Sequence, residues 1–324
     1  MIATILIALA AGAASALMFA SIVSGALISL LLLCLAPLPL MLAAIGWGPL
    51  CGAIGGIAAA AVLGAIFGLS QCIAFAISVA LPAWWLGHLA LLGRRTRDAA
   101  LPDHAAANDA PAIEWYPVGR ILLWIAGLAA VTTAAALLTL GTDAAAVAGA
   151  LREFMLRSFG SNDATMSEDF ARWIDEMVSL APSAAAMVAM LTLTLNLWLA
   201  ANIAAISGRL RRPWPDLKNM TLPTMTLVGL CVAIALCFNG GLLAMLARIV
   251  MSTLIMAYAV TGFAVLHTLT LALKSRPFWL GTTYAVVMVF GWPMLAMAAL
   301  GLADAVFGLR QRYLRGRPPP LPAP

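Results

Sequence analysis

Long apolar stretches, separated by short polar segments, dominate the sequence. Eight of them approach or exceed the length of about 20 residues that a helix needs to cross about 30 Å of hydrocarbon. They lie at residues 2–21, 24–46, 49–69, 70–92, 118–141, 182–207, 222–238 and 242–273. Helices satisfy their backbone hydrogen bonds internally, as lipid requires. The pattern therefore predicts an all-α fold, a polytopic transmembrane helix bundle with eight full spans, in one domain over residues 1–317.

A ninth apolar stretch, residues 278–309, is too long for one upright span, since it would measure about 48 Å at 1.5 Å per residue. Gly291-Trp292-Pro293 lies near its middle, and proline interrupts the helical hydrogen-bond ladder. One long helix, a broken helix and a hairpin are all open, and a break or hairpin would return the C-terminus to the side of the N-terminus. The proline-rich tail, residues 318–324, is predicted to be disordered.

The composition supports a membrane protein, because 64% of the 324 residues are apolar and 10% are charged. Soluble domains carry about 25% charged residues. The chain has too few to cover a surface in water, so a lipid bilayer is its expected partner. Its arginines form short runs at the ends of apolar segments. They form no basic stripe with interleaved aromatic residues, so nucleic acid is excluded as a partner.

Basic clusters predict the orientation in the membrane. The loops over residues 93–117 and 208–221, and the segment after residue 273, each begin with arginine or lysine and each follow an even number of spans. The positive-inside rule places them, with the N-terminus, in the cytoplasm. The loop over residues 142–180 carries seven acids and three bases, which suits the outer side. We therefore predict a multi-pass protein of the bacterial inner membrane, with both termini cytoplasmic.

Within this outer loop, one segment has the pattern of an amphipathic helix. Its apolar residues recur at helical spacing, and charged residues fill the opposite face. The apolar set is Phe170, Trp173, Ile174, Met177 and Val178. Such a helix is typical of the membrane interface, and Ser167 is a suitable N-cap. It either rests on lipid headgroups or covers a binding cavity as a lid.

Small residues recur at four-residue spacing along two spans. In the first span they are Ala8, Gly12, Ala16 and Ala20, and in the third they are Gly52, Gly56, Gly64 and Gly68. Faces of this kind let two helix backbones approach closely in lipid. Internal helix packing and docking of a partner membrane protein are the two interpretations.

Polar side chains inside apolar spans are expensive to bury and are therefore candidates for ligand binding. They are Asn196, Asn202, Arg248, His267 and Asp304. Each also has a simpler interpretation: interhelical hydrogen bonds for the asparagines, snorkelling for the two basic residues, and a salt bridge to Arg310 for the acid. Helices interrupted by Pro37, Pro39 and Pro293 could further expose backbone groups to a ligand.

No motif for catalysis, metal binding or nucleotide hydrolysis occurs in the sequence. HExxH, GxSxG and P-loop patterns are absent, and the five cysteines form no CxxC pair. Three histidines are too few to build a metal centre from histidine alone. We therefore expect a protein that is not an enzyme, has no metal or cofactor and does not itself use ATP.

Several short motifs occur in an order that covers nearly the whole chain. They are Ala36-Pro37-Leu38-Pro39-Leu40, Gly46-Trp47-Gly48, Leu81-Pro82-Ala83-Trp84, Arg212-Pro213-Trp214-Pro215-Asp216-Leu217, Gly262-Phe263-Ala264-Val265-Leu266-His267, Gly301-Leu302-Ala303-Asp304 and Gly308-Leu309-Arg310. Together they resemble the YybS-like family of uncharacterised bacterial membrane proteins, in its alphaproteobacterial form. That family is similar in outline to the substrate-binding subunits of energy-coupling-factor transporters, which capture vitamins or metal ions.

This resemblance implies a docking role for one helix face. The residues that would dock a transmembrane coupling subunit are Ala8, Gly12, Ala16 and Ala20. The span count departs from the pattern, because such subunits typically have six helices and this chain has at least eight apolar stretches.

These observations favour a membrane protein that binds a small solute, as a transporter subunit driven by a partner ATPase. The alternative is a scaffold for envelope assembly or cell division that uses its small-residue faces to bind other helices. A polar cavity beneath residues 142–180 would distinguish the first from the second.

Overall fold

The computed structural model describes residues 2–95, 113–159, 167–214 and 220–315. In these ranges the chain is almost entirely helical, which confirms the all-α fold. The helices are α1 (Ile2–Ala20), α2 (Leu27–Leu35), α3 (Pro37–Trp47), α4 (Pro49–Phe67), α5 (Leu69–Phe75), α6 (Leu81–Leu91), α7 (Val118–Leu138), α8 (Ala144–Phe159), α9 (Glu168–Ile206), α10 (Met225–Leu236), α11 (Gly241–Leu269), α12 (Arg276–Phe290), α13 (Pro293–Phe307) and α14 (Leu309–Arg315). A short antiparallel pair, β1 (Gly93–Arg95) and β2 (Ile113–Trp115), precedes α7. The tail predicted to be disordered lies outside the described residues.

Seven segments of the described chain are long and apolar enough to cross a membrane. They are Ile2–Val23, Leu27–Trp47, Pro49–Phe67, Leu69–Leu91, Val118–Leu138, Glu168–Ile206 and Gly241–Leu269. α13 and α14, bent by 66° at their junction, together form an eighth apolar segment. The stretch over residues 222–238 is a shorter apolar helix, Met225–Asn239, because Pro223 precedes it and Gly240 ends it with a φ of 78°. The chain is therefore a multi-pass membrane protein.

The ninth apolar stretch is a broken helix. α12 and α13 have 15 residues each and are separated by Gly291 and Trp292. Gly291 has a φ of 69°, a left-handed conformation that favours glycine. Pro293 then starts α13, where its missing N–H removes no helical hydrogen bond. The break therefore falls at the predicted position.

The residue contacts divide the chain into two compact units. The first comprises Met1–Ile125 and Leu191–Trp214, and the second comprises Ala126–Met190 and Pro215–Pro324. The divisions fall within α7 and α9, so each of these helices contributes residues to both units. The single domain expected over residues 1–317 stays a prediction.

α9 contains two segments that the sequence pattern predicts as separate elements. Its 39 residues include both the amphipathic segment and the sixth predicted span, and Pro182 lies inside it. Ser167 caps the helix as predicted, since its Oγ accepts a hydrogen bond from the Phe170 N–H at 3.3 Å. Ile174 and Val178 pack against α8, so α8 covers part of the apolar face for which lipid headgroups and a binding cavity are the two interpretations.

Small residues bring α1 and α4 into close contact inside the first unit. A methyl group on Gly12 would overlap the Gly55 carbonyl, and one on Gly55 would overlap the Ala8 carbonyl. Gly55 is not one of the predicted residues. Of those that are, Ala16 is buried, and methyl groups added to Gly52, Gly56 and Gly64 would meet side chains of other helical segments. Ala20 is half-buried, and Gly68 ends α4 with a φ of 93°. The structure thus uses these faces for internal packing, while docking of a partner stays a prediction.

Gly55→Ala should destabilise the chain by about 1–3 kcal/mol, because the added methyl group meets a backbone carbonyl that cannot rotate away. Gly127→Ala in α7 is the matched control, since no described heavy atom lies within 4 Å of its added methyl group. There the loss of glycine flexibility should stabilise the helix by about 0.5–1 kcal/mol. Thermal unfolding of both variants in one detergent measures the difference. Equal melting temperatures would contradict the close α1–α4 contact.

α11 and α13 cross at two glycines in the second unit. A methyl group on Gly262 would overlap the Met297 carbonyl, and one on Gly301 would overlap the Tyr258 carbonyl. Backbones approach this closely only where side chains are missing from the crossing. The crossing brings the end of α13 to Tyr258 and Thr261 of α11, where the candidate site lies.

Candidate functional site

A cavity of about 670 Å³ lies among residues of α11, α13 and α14 and the start of α10. Sites for small molecules typically have volumes of about 300–1,000 Å³ and mostly apolar walls with a few polar groups. Hydrogen-bonding side chains in this wall are Thr221, Thr224, Tyr258, Thr261, Asp304, Arg310 and Gln311. The remaining lining residues are apolar or glycine. Size and lining therefore both suit a small ligand.

Asp304 and Arg310 form a buried ion pair in the wall of this cavity, which confirms the predicted salt bridge. Their exposed fractions are 8% and 4%. The Arg310 Nε and Nη2 atoms donate to Asp304 Oδ2 at 2.8 and 2.6 Å. The Arg310 backbone N–H donates to Oδ1 at 2.8 Å. Both carboxylate oxygens are thus bound by one residue, and the negative charge is compensated within the protein.

The turn between α13 and α14 produces this geometry. Gly308 ends α13 in the left-handed conformation, with a φ of 62°, and its N–H donates to the Asp304 carbonyl at 2.8 Å. The chain then bends by 66° into α14. Because glycine adopts this conformation without strain, Arg310 reaches back to a carboxylate that precedes it by six residues.

α11 contributes two residues with hydroxyl groups, Tyr258 and Thr261, to the lining of the cavity. Tyr258 is 1% exposed, and Thr261 follows three residues later on the same helix face. The Thr261 Oγ1 donates to the Tyr258 carbonyl at 2.8 Å. With its hydrogen used in this way, the threonine oxygen offers lone pairs to a ligand. The tyrosine hydroxyl can both donate and accept.

The charges of the site indicate which ligands it can hold. A compensated ion pair, several hydroxyl groups and one amide can hydrogen-bond a polar solute. Among the described lining residues the charges of Asp304 and Arg310 cancel, and an unpaired buried charge is strongly disfavoured. A neutral or zwitterionic solute therefore suits the cavity. Among the described residues, no three His, Cys, Asp or Glu side chains group as metal ligands.

Of the five polar side chains selected from the sequence, Asp304 alone is among the described residues that line this cavity. Asn202 donates to a carbonyl of its own helix at 2.8 Å. Arg248 is exposed on α11. The His267 Nε2 atom lies 2.9 Å from the Tyr284 hydroxyl. Arg248 and His267 are 19 residues apart on α11, about 28 Å along its axis, and do not share a site.

Asn196 connects two helices of the first unit. Its Nδ2 atom donates to the carbonyls of Cys34 in α2 and Thr192 in α9, both at 2.7 Å. Interhelical hydrogen bonding, the simpler of its two interpretations, is therefore present.

Most residues that line the cavity could not be identified from the sequence. Tyr258, Thr261 and Gln311 belong to no motif, and a tyrosine or a threonine in an apolar helix is too common to indicate a site. No described residue of the segment 142–180 lines this cavity, so a cavity beneath that segment stays a prediction. That segment packs with itself through α8 and the start of α9.

Residues 13–305 match the model of a family described as a predicted membrane protein, DUF2232. No curated protein and no solved structure matches the chain.

Proposed function

Since the chain belongs to the DUF2232 family of predicted membrane proteins, we propose its function from its own cavity. The chain binds a small polar solute without net charge and acts as the solute-binding subunit of a transporter. It is not an enzyme. The observation that carries this proposal is the cavity of about 670 Å³ with a buried, internally compensated ion pair in its wall.

The transporter role extends the proposal beyond binding. The YybS-like resemblance and the outline shared with energy-coupling-factor subunits support it. A partner ATPase would supply the energy, because the sequence has no P-loop. The basic clusters at span ends support a place in the bacterial inner membrane, with both termini in the cytoplasm.

The scaffold alternative has less support. It depends on small-residue faces that are free to meet other helices. Ala8 and Gly12 are buried, and Gly12 lies against Gly55 inside the first unit. A cavity with polar groups, by contrast, is what a solute-binding protein requires.

The test of binding is purification of the full chain from its native membrane, followed by mass spectrometry of the small molecules that it retains. Tyr258→Phe removes the hydroxyl group of one residue that lines the cavity. If that group hydrogen-bonds the solute, the amount retained should fall about 5- to 10-fold, since one such bond contributes about 1 kcal/mol or slightly more.

Tyr284→Phe is the matched control, because Tyr284 pairs with His267 and does not line the cavity. It should retain the solute as the unmodified chain does. Recovery of no solute from the unmodified chain, or an equal loss in both variants, would contradict the proposal.

A further inference from the structure

Asn196 has a buried oxygen atom without a hydrogen-bond partner. The residue is 1% exposed, and its Nδ2 atom already donates to the carbonyls of Cys34 and Thr192. Turning the amide over would place its oxygen against those two carbonyl oxygens, so the orientation is determined. No donor of the described chain reaches Oδ1. An orphaned buried acceptor is destabilising and therefore calls for a partner.

The break between α2 and α3, which Asn196 contacts through Cys34, supplies further oxygen atoms. Pro37 and Pro39 have no N–H, so the carbonyls four residues earlier lose their usual helical donors. The Leu33 carbonyl accepts from the Ala36 N–H instead, at 3.2 Å. Pro39 has no N–H to offer the Leu35 carbonyl. That carbonyl therefore lacks the donor that a carbonyl inside a regular helix has.

Ser15 of α1 reaches the same break. It is fully buried, and its Oγ donates to the Ala36 carbonyl at 2.5 Å. Because its hydrogen is used in this bond, the serine oxygen offers only lone pairs to any other group. An amide oxygen, a backbone carbonyl and a hydroxyl oxygen, all three of them acceptors, thus belong to the break or to side chains that bond its carbonyls.

A cluster of neutral oxygen acceptors suits a cation of low charge. Residues 2–95 and 191–214 contain no aspartate or glutamate, whereas sites for Ca²⁺ and Mg²⁺ generally use carboxylates. Broken membrane helices coordinate Na⁺ through backbone carbonyls freed from the helical ladder. We propose that Asn196 Oδ1, the Leu35 carbonyl and Ser15 Oγ bind a monovalent cation, Na⁺ or Li⁺, at the α2–α3 break.

The test is thermal unfolding of the purified full chain in detergent, in NaCl, LiCl or choline chloride at equal ionic strength. Binding to the folded state alone should raise Tm in NaCl or LiCl by about 3–5 °C over choline chloride, for a cation at roughly 100 times its Kd. Choline cannot replace Na⁺ or Li⁺ as a ligand of oxygen atoms, because methyl groups surround its charge. Equal Tm values in the three salts would overturn the proposal, and would indicate that a water molecule satisfies Oδ1.

Two variants test whether the cation binds at the α2–α3 break. Asn196→Leu removes the amide oxygen, and Pro39→Ala restores an N–H that can bond the Leu35 carbonyl without changing Asn196. Both should lose the difference between NaCl and choline chloride. Asn202→Leu is the matched control on the same helix and should keep it. A salt difference that survives in both Asn196→Leu and Pro39→Ala would overturn the assignment, and so would its loss in Asn202→Leu. If Asn196→Leu does not fold, Pro39→Ala decides.

Discussion

Arg310→Met is expected to lower the free energy of unfolding by about 3–5 kcal/mol, because it leaves the Asp304 carboxylate buried without its counter-charge. The arginine supplies every hydrogen bond that this structure shows to the two carboxylate oxygens, including the one from its backbone N–H. A methionine keeps the apolar stem but removes the guanidinium group. Chemical unfolding of the detergent-solubilised chain measures the loss.

Two further variants separate the charge from the volume of the side chain. Arg312→Met removes an exposed arginine from the same helix, α14, and should change the free energy of unfolding by less than about 0.5 kcal/mol. The double variant Asp304→Leu with Arg310→Met removes both charges and should be more stable than either single variant. Additive losses in the double variant would show that the two charges do not depend on each other.

Gly301→Ala should destabilise the second unit by about 2–3 kcal/mol and also reduce solute retention. Its added methyl group overlaps the Tyr258 carbonyl, which is part of the α11 backbone and cannot change rotamer. The helices must therefore separate, and the cavity wall to which Gly301 and Tyr258 both belong must move. Tm in one detergent reports the first effect, and the amount of co-purified solute reports the second.

Gly281→Ala in α12 is the control for this change, since no described heavy atom lies within 4 Å of the position of its added methyl group. It should raise Tm slightly. Adding Gly262→Ala to Gly301→Ala should cost less than the sum of the single changes, because one separation of the helices accommodates both methyl groups. A Gly301→Ala chain as stable as the Gly281→Ala chain would refute the close crossing.

The apolar pattern predicts most of the fold because lipid imposes a minimum length on each span. The apolar pattern fails for helices whose length does not depend on the thickness of the bilayer. α9 begins at Glu168, in a charged segment that hydropathy assigns to a loop, because the backbone continues as a helix through Pro182. α8 has a narrow apolar face that includes Val147 and Leu156, which is too little to register as a span.

The candidate site is less accessible to sequence reasoning than the fold. Asp304 and its partner Arg310 could be identified, because an acid in an apolar stretch needs a nearby base. Tyr258 could not, since a tyrosine in a span is common and its position in the wall follows from the α11–α13 crossing. That crossing depends on Gly262 and Gly301, which lie 39 positions apart in residue number. The sequence carries no local signal that joins them.

The length of α9 has a consequence for what lies outside the bilayer. Its 39 residues correspond to a rod of about 58 Å at 1.5 Å per residue, nearly twice the thickness of the hydrocarbon core. Even a tilt of about 40° leaves a projection of about 45 Å along the membrane normal. The part of α9 that exceeds the hydrocarbon has to lie in the interface or in water, and its charged first turns, where Asp175 pairs with Arg152 of α8, are the part that lipid excludes.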